Sequence, residues 1–342
     1  MLLRTLLGAA TVAALTLPQA QAQTTLTMSV WVPHTHMLVR EGFQPWTERV
    51  EKETNGRVKI RILPKGVAGA VQHFDAAKDG LTDIAFISHS YTPARFQMLR
   101  MAVLPFGGDN AESQSVALWR IHQKHFDKLN EHAGTHLLTL YTHGPGIFWN
   151  NKRATRTIDD FAGLKIRVGG GIAADVATAL GANAIAKPAP ESYELLSSGV
   201  VDGVMFPGES IKSFKLEKLV KFATDFPGGL YSDSHAVVIN EAAWKRLSKQ
   251  DQDAIMRVSG EALAREIGKT WDRNAAEGFE LLKANGGELI RADANLVKAV
   301  AERTAKFERE WLETAKSRGI DGDKVIAEYR ALVKQVDSER KK

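Results

Sequence analysis

Val58-Lys59-Ile60-Arg61-Ile62 places apolar side chains at every second position with Lys59 and Arg61 between them, the period-2 pattern of a strand with one buried face. What flanks it decides the fold class. Upstream, Thr25 to Val32 predicts a strand, and Phe43, Trp46 and Val50 recur at helical spacing until Asn55-Gly56 supplies a C-terminal stop. Downstream, a short helix near Val71 to Lys78 leads into an apolar strand over Asp83 to Ser88. The order strand, helix, strand, helix, strand predicts an α/β domain with helices packed on a largely parallel sheet.

The same grammar returns further along the chain. A helix from about Glu112 to His132 precedes a strand at His136 to Thr142, and Thr157-x-x-Asp160 starts a turn of helix before a strand at Leu164 to Val168. Helices over Ile172 to Leu180 and Glu191 to Ser198, then a short strand from Val201 to Phe206, complete a second α/β unit. From Ser248 onward the pattern is almost purely helical, with Leu263, Ile267, Trp271, Phe279, Leu281 and Leu282 on long amphipathic segments. No Pro/Gly-rich linker separates the units, so the chain is expected to cross between two domains more than once.

Arg4 is followed by an apolar stretch from Leu6 to Leu17 and by Ala20-Gln21-Ala22, the pattern of a secretory signal peptide cut near residue 22. The stretch is too short to span a hydrocarbon core of about 30 Å, which takes roughly 20 residues. A mature chain of about 320 residues is long for one core, and two domains are expected. With no cysteine, disulfides, thiolate nucleophiles, cysteine metal sites and a lipoprotein anchor are all ruled out. The net charge of +5 is spread among 45 Lys and Arg and 40 Asp and Glu, and the absence of a basic stripe argues against a nucleic-acid partner.

Enzyme signals are weak. Gly169-Gly170-Gly171-Ile172-Ala173-Ala174 formally matches a dinucleotide fingerprint, which also requires an acidic residue about 20 positions on at the end of the next strand. Glu191 begins a helical pattern instead, so no nucleotide cofactor is expected. What survives is a helix start at Gly170 whose free backbone N–H groups can face an anionic ligand. His122 and His125 share a helix face with no carboxylate to complete a metal site, whereas His34 and His36 sit where the first strand ends, a place for ligand contacts. No G-x-S-x-G elbow exists, and Gly208-Glu209-Ser210-Ile211-Lys212 lacks the closing glycine, so no catalytic residue is assigned. Arg167 follows Leu164-Lys165-Ile166 in an apolar strand and needs a carboxylate partner, either from a ligand or from an internal Asp or Glu.

Taken together, Asp159-Asp160-Phe161-Ala162-Gly163-Leu164-Lys165-Ile166-Arg167-Val168, Leu180-Gly181-Ala182 and Ser198-Gly199-Val200-Val201-Asp202-Gly203 resemble the periplasmic solute-binding subunits of tripartite ATP-independent periplasmic (TRAP) transporters. Gly80-x-x-Asp83-Ile84-Ala85-Phe86, Leu104-Pro105-Phe106 and Ile239-Asn240-x-x-x-Trp244 fit as well, and the resemblance covers essentially the whole mature chain. It implies a two-domain binding protein with a ligand cleft between the domains and a long hinge-spanning helix, divided as 23–144 plus 235–277 and 145–234 plus 278–342. Hinge closure would enclose the ligand, and Arg167 stands where the family's arginine salt-bridges the ligand carboxylate. The resemblance further implies a periplasmic location, delivery to TRAP membrane permease subunits, a monomer, and no enzymatic activity; a ligand-sensing module for a membrane receptor is the alternative.

Departures from the family pattern narrow the ligand. Ile147 stands 20 residues before Arg167 where many dicarboxylate and sialate relatives have a second arginine, Phe206 replaces a frequent asparagine, and Ser88 replaces a possible glutamate. Apolar contact is favoured at about 25 cal/mol per Å², while an unpaired second carboxylate would cost several kcal/mol. The expected ligand is a monocarboxylate with an apolar or aromatic body packed on Phe206 and Trp149, with His34, Ser88 or Tyr231 for polar groups.

Overall fold

The alternation at residues 58–62 forms as expected: in the computed structural model, which describes residues 23–341, Val58 and Ile60 are buried while Lys59 and Arg61 are exposed. The predicted signal peptide lies outside the described residues. Strand β1 (Thr24–Ser29) pairs parallel with β2 (Val58–Ile62) in the register Leu26 to Ile60, and parallel with β3 (Ile84–Ser88) on its other side. Helices α1 (Gln44–Glu53) and α2 (His73–Lys78) make the crossovers. α3 (Ala111–Ile121) then leads to β4 (Thr135–Thr142).

The chain leaves this sheet after β4 and builds a second one from β5 (Ile147–Asn150), β6 (Lys165–Val168), α4 (Gly171–Ala179), β7 (Asn183–Ala186), α5 (Ser192–Ser197), β8 (Gly203–Phe206), α6 (Ser210–Ser213) and β9 (Phe222–Asp225). It returns through β10 (Ser234–Asn240), whose antiparallel pairing with both β3 and β4 gives the first sheet the order β2-β1-β3-β10-β4. The second sheet closes with β11 (Glu288–Arg291) in the order β11-β9-β5-β8-β6-β7. Both sheets are mixed, where a largely parallel one was expected. β5 enters the second sheet and β10 re-enters the first by direct crossings, with no helix to reverse the chain, so each runs against its neighbours.

After α7 (Glu241–Lys245), the long helix runs in three pieces, α8 (Lys249–Arg257), α9 (Gly260–Asn274) and α10 (Glu277–Ala284). α9 packs on α3 and β4, and α10 packs on α6 and β11, so this bent helix spans the two sheets. Its second bend passes the loop at Pro207-Gly208, between β8 and α6, so closely that a Cβ on Gly278 would lie 2.0 Å from the Gly208 carbonyl oxygen, and one on Gly208 2.0 Å from that of Ala275. Two glycines let the backbones touch here. α11 (Ala294–Ser317) lies against α4, and α12 (Gly322–Arg340) returns to pack on α3.

Candidate functional site

Parallel strands leave their carboxyl ends, and the loops that follow, on one side of a sheet. Here those ends from both sheets face each other and enclose a cavity of about 400 Å³. Its lining comes from residues 31–38 after β1, 89–103 after β3, 169–173 after β6, 205–207 at the end of β8, and 231–235 ahead of β10, with Trp271 of α9 at the back. Among the contacts that bridge it, the Ala189 amide donates to the Tyr91 hydroxyl (2.9 Å), Arg167 bonds the same hydroxyl, and Arg100 pairs with Asp175 (2.8 Å).

Arg167 sits in the middle of β6, only 2% exposed, with its guanidinium on the cavity wall. Nε and Nη2 both donate to the Lys187 carbonyl oxygen at 2.8 and 2.6 Å, and the guanidinium lies 4.5 Å from the centre of the Phe206 ring. Burial lowers its pKa from the ordinary arginine value, with Tyr91 and Tyr231 opposing the shift. A guanidinium remains cationic under such a shift. The other arginine on the wall, Arg100, is already neutralised by Asp175 at 2.8 Å and Glu310 at 3.6 Å. Arg167 has no ion-pair partner among the described residues, and Asp233 acts on it only as the weakest of the several influences. It is a buried cation whose outward N–H groups face an open cavity.

The opposite wall is polar. Ser88 Oγ and Ser90 Oγ each lie 2.7 Å from Asp233 Oδ2, and 2.8 Å from each other. Burial raises the Asp233 pKa, opposed by His143 and by the serine hydroxyls. His235 Nε2 is 3.6 Å from the same oxygen, too long for a hydrogen bond. Burial holds His143 at about 4 and His235 at about 3, so both are neutral at pH 7 and leave Arg167 as the cation on this part of the cleft.

Aromatic rings fill most of the remainder. Phe206 stacks on Phe214 with centroids 5.4 Å apart, Trp31 stacks on Phe86 at 4.8 Å, and Tyr231 meets His143 edge-on at 5.4 Å. Of the sequence-derived candidates, Arg167, Phe206, Gly170 and Tyr231 converge on the cavity. Ser88 stands one hydrogen bond behind it, through Asp233. Trp149 is fully buried on the far side of Phe206, its indole donating to the Phe206 carbonyl oxygen at 3.0 Å and its ring stacked on Phe279. Ile147 pairs with Phe206 across β5 and β8 but lines a separate cavity of about 320 Å³ behind the crossings. His34 is exposed and bonds the Leu63 carbonyl oxygen at 2.8 Å, whereas His36, two residues on, is 2% exposed and lines the cleft. Asp233, Ser90 and Tyr91 were not singled out from the sequence. Ser90 and Tyr91 directly follow the strand ending at Ser88, the position that had pointed to His34 and His36, and that signal was available.

Gly170 has φ +118°, and a Cβ there would lie 2.6 Å from the Ser90 carbonyl oxygen across the cleft. Gly170→Ala is therefore expected to hold the two walls apart and weaken ligand binding roughly tenfold to hundredfold, as read by titration calorimetry. An unchanged affinity would show that the walls need not approach this closely.

The profile of the family described as bacterial extracellular solute-binding protein, family 7 (DctP), matches residues 29–314. The chain belongs to this family. Across 96% of its length this DctP-family protein is 33% identical to the outer membrane transporter protein TsaT of Comamonas testosteroni, covering 97% of that protein. Among solved structures, it is similar to a TRAP periplasmic solute-binding protein of Bordetella bronchiseptica with bound (R)- and (S)-mandelate. That likeness has a TM-score of 0.90 at 53% identity, over 92% of this chain and 99% of that one. A TRAP solute-binding protein of Rhodoferax ferrireducens with copurified benzoate superposes with a TM-score of 0.87 at 27% identity, over 93% and 100% of the two chains. The DctP-family fold accounts for the paired sheets, the cleft and the bent spanning helix. Among the described residues no group of three or more His, Asp or Glu side chains is placed to hold a metal ion, and no helix is long and apolar enough to cross a membrane.

Proposed function

We propose that this TRAP solute-binding protein captures an aromatic monocarboxylate in the periplasm and hands it to membrane permease subunits, without performing chemistry on it. The observation that carries the ligand class is the buried Arg167 guanidinium, without an ion-pair partner among the described residues, facing a cavity lined by aromatic rings apart from the polar wall around Asp233. One carboxylate neutralises one guanidinium, while a second would meet Phe206 or Asp233 and remain unpaired. The ligands of the Bordetella bronchiseptica and Rhodoferax ferrireducens relatives, mandelate and benzoate, are of this class. In this reading, residues 23–144 plus 235–277 and 145–234 plus 278–342 form two lobes that close over the ligand by hinging at the crossings and the bend of the long helix. The protein acts as a monomer, and residues 1–22 direct export. A thermal-shift screen should show stabilisation by mandelate and benzoate and none by succinate or sialate, since only binding to the folded state raises the transition. Stabilisation by succinate with no response to the aromatic acids would overturn the assignment.

A further inference from the structure

Resting on that reading of the cleft, we infer that Asp233 is a specificity residue that accepts a hydrogen bond from a hydroxyl on the ligand, next to the ligand's carboxylate, so that the preferred ligands are aryl 2-hydroxy acids. A carboxylate on the wall of a site built for an anion is repulsive unless the ligand brings it a donor. Asp233 lines the cleft with its side chain 17% exposed.

The serines set which oxygen is free. Ser88 and Ser90 both approach Oδ2, at 2.7 Å each, and each other at 2.8 Å. Two hydroxyl protons serve three contacts, so Oδ2 receives at least one of them. Oδ1 accepts no hydrogen bond from any side chain among the described residues, and the carboxylate's further partner is the Ser234 backbone N–H. The serines thus hold the carboxylate in one orientation and leave it lone pairs for one more donor.

Position follows from Gly169. A Cβ imagined there would lie 3.1 Å from Ser90 Oγ and 4.0 Å from Arg167 Nη2, so the serine that holds Asp233 and the guanidinium sit over the same glycine. Tyr91 and Tyr231 each feel both Arg167 and Asp233. A ligand whose carboxylate meets Arg167 therefore presents its adjacent carbon, and not the far edge of its ring, toward Asp233. A hydroxyl on that carbon converts repulsion into a charge-assisted hydrogen bond.

Mandelate and phenylacetate, which differ only in that hydroxyl, separate the idea by titration calorimetry on the mature chain. The unsubstituted protein is expected to bind mandelate at least about thirtyfold more tightly, because phenylacetate leaves Asp233 buried against an apolar carbon. Asp233→Ala should weaken mandelate and at the same time strengthen phenylacetate, bringing the two within about threefold. Asp233→Asn, which keeps the shape around Ser88 and Ser90 should alanine prevent folding, should move both ligands in the same directions. Equal weakening of both ligands would mark Asp233 as a structural residue only, and an unchanged ratio would overturn the inference while leaving the aromatic-carboxylate reading intact. Dependence on Asp233 seen with 3-hydroxybenzoate but not with mandelate would overturn the placement beside the carboxylate. Failure of the unsubstituted protein to bind mandelate, phenylacetate or benzoate would remove the underlying reading, and this inference with it.

Discussion

Arg167→Ala is expected to weaken binding of mandelate or benzoate by about thirtyfold to several thousandfold, the loss of roughly 2–5 kcal/mol that follows removal of a buried charged partner. Nε and one Nη2 proton are used on the Lys187 carbonyl oxygen. Three of the five N–H donors remain, one of them shared with the Tyr91 hydroxyl, which is enough to grip a carboxylate with two parallel bonds. Alanine deletes the grip and the charge together. Arg167→Lys keeps a charge but not the fork, so its affinity should fall between the two. Folding of the ligand-free Arg167→Ala protein is expected to be nearly unchanged. Removing an unpaired buried cation relieves a desolvation penalty, which offsets the lost bonds to Lys187 and the contact with the Phe206 ring. Titration calorimetry reads the affinity and a thermal melt reads the fold. Tight binding retained by an alanine variant would mean that the carboxylate is held elsewhere.

Acidification is the second large effect, and its sign comes from buried histidines. Burial lowers His36, His132 and His235 to about 3 and His122 and His143 to about 4, and lowers His89 as well. A group whose folded pKa is depressed contributes stability that is present above its unfolded value of about 6.5 and lost as pH falls toward the folded value. Between pH 7 and 5 each such histidine then removes about 2 kcal/mol by linkage, less where they neighbour one another, as His89 and His132 do at 3.1 Å. Glu209, raised by burial to about 7, and Glu131, Asp233 and Asp272, raised in direction, act oppositely and become more favourable in the folded state as they take up protons. Six histidines outweigh four carboxyls. The transition temperature is expected to fall by about 10 °C or more from pH 7 to pH 5 in scanning calorimetry. A transition unmoved down to pH 5 would show that these imidazoles already accept protons in the folded protein.

The α/β class was legible because apolar spacing is a local property: Val58 and Ile60 alternate with charged residues whatever else the chain does, and Trp46 and Val50, with Phe43 just ahead of the helix, bury one face of α1. The four-residue strands β5, β9 and β11 offered too few positions for a period to emerge, and Ile147-Phe148-Trp149-Asn150 is buried throughout, so it never alternates. β10 was missed for the same reason, being buried along all but its last residue, and its antiparallel direction depends on where the chain returns from.

The same division holds at the site. An arginine inside an apolar strand can be recognised from neighbours in sequence, because its burial calls for a compensating partner wherever the strand is placed, and residues 164–168 alone therefore marked Arg167 as a candidate without saying whether a ligand or an internal carboxylate would meet it. Which side chains share the cavity with it was settled by the crossings. They bring Asp233 beside Ser90, which sits over Gly169, and leave Trp149 and Ile147 behind Phe206, while the loop after β1 turns His36 inward and His34 outward. Loop residues carry no period that tells which way they point. Their directions are set only when the carboxyl ends of two sheets, far apart in sequence, meet across one cleft.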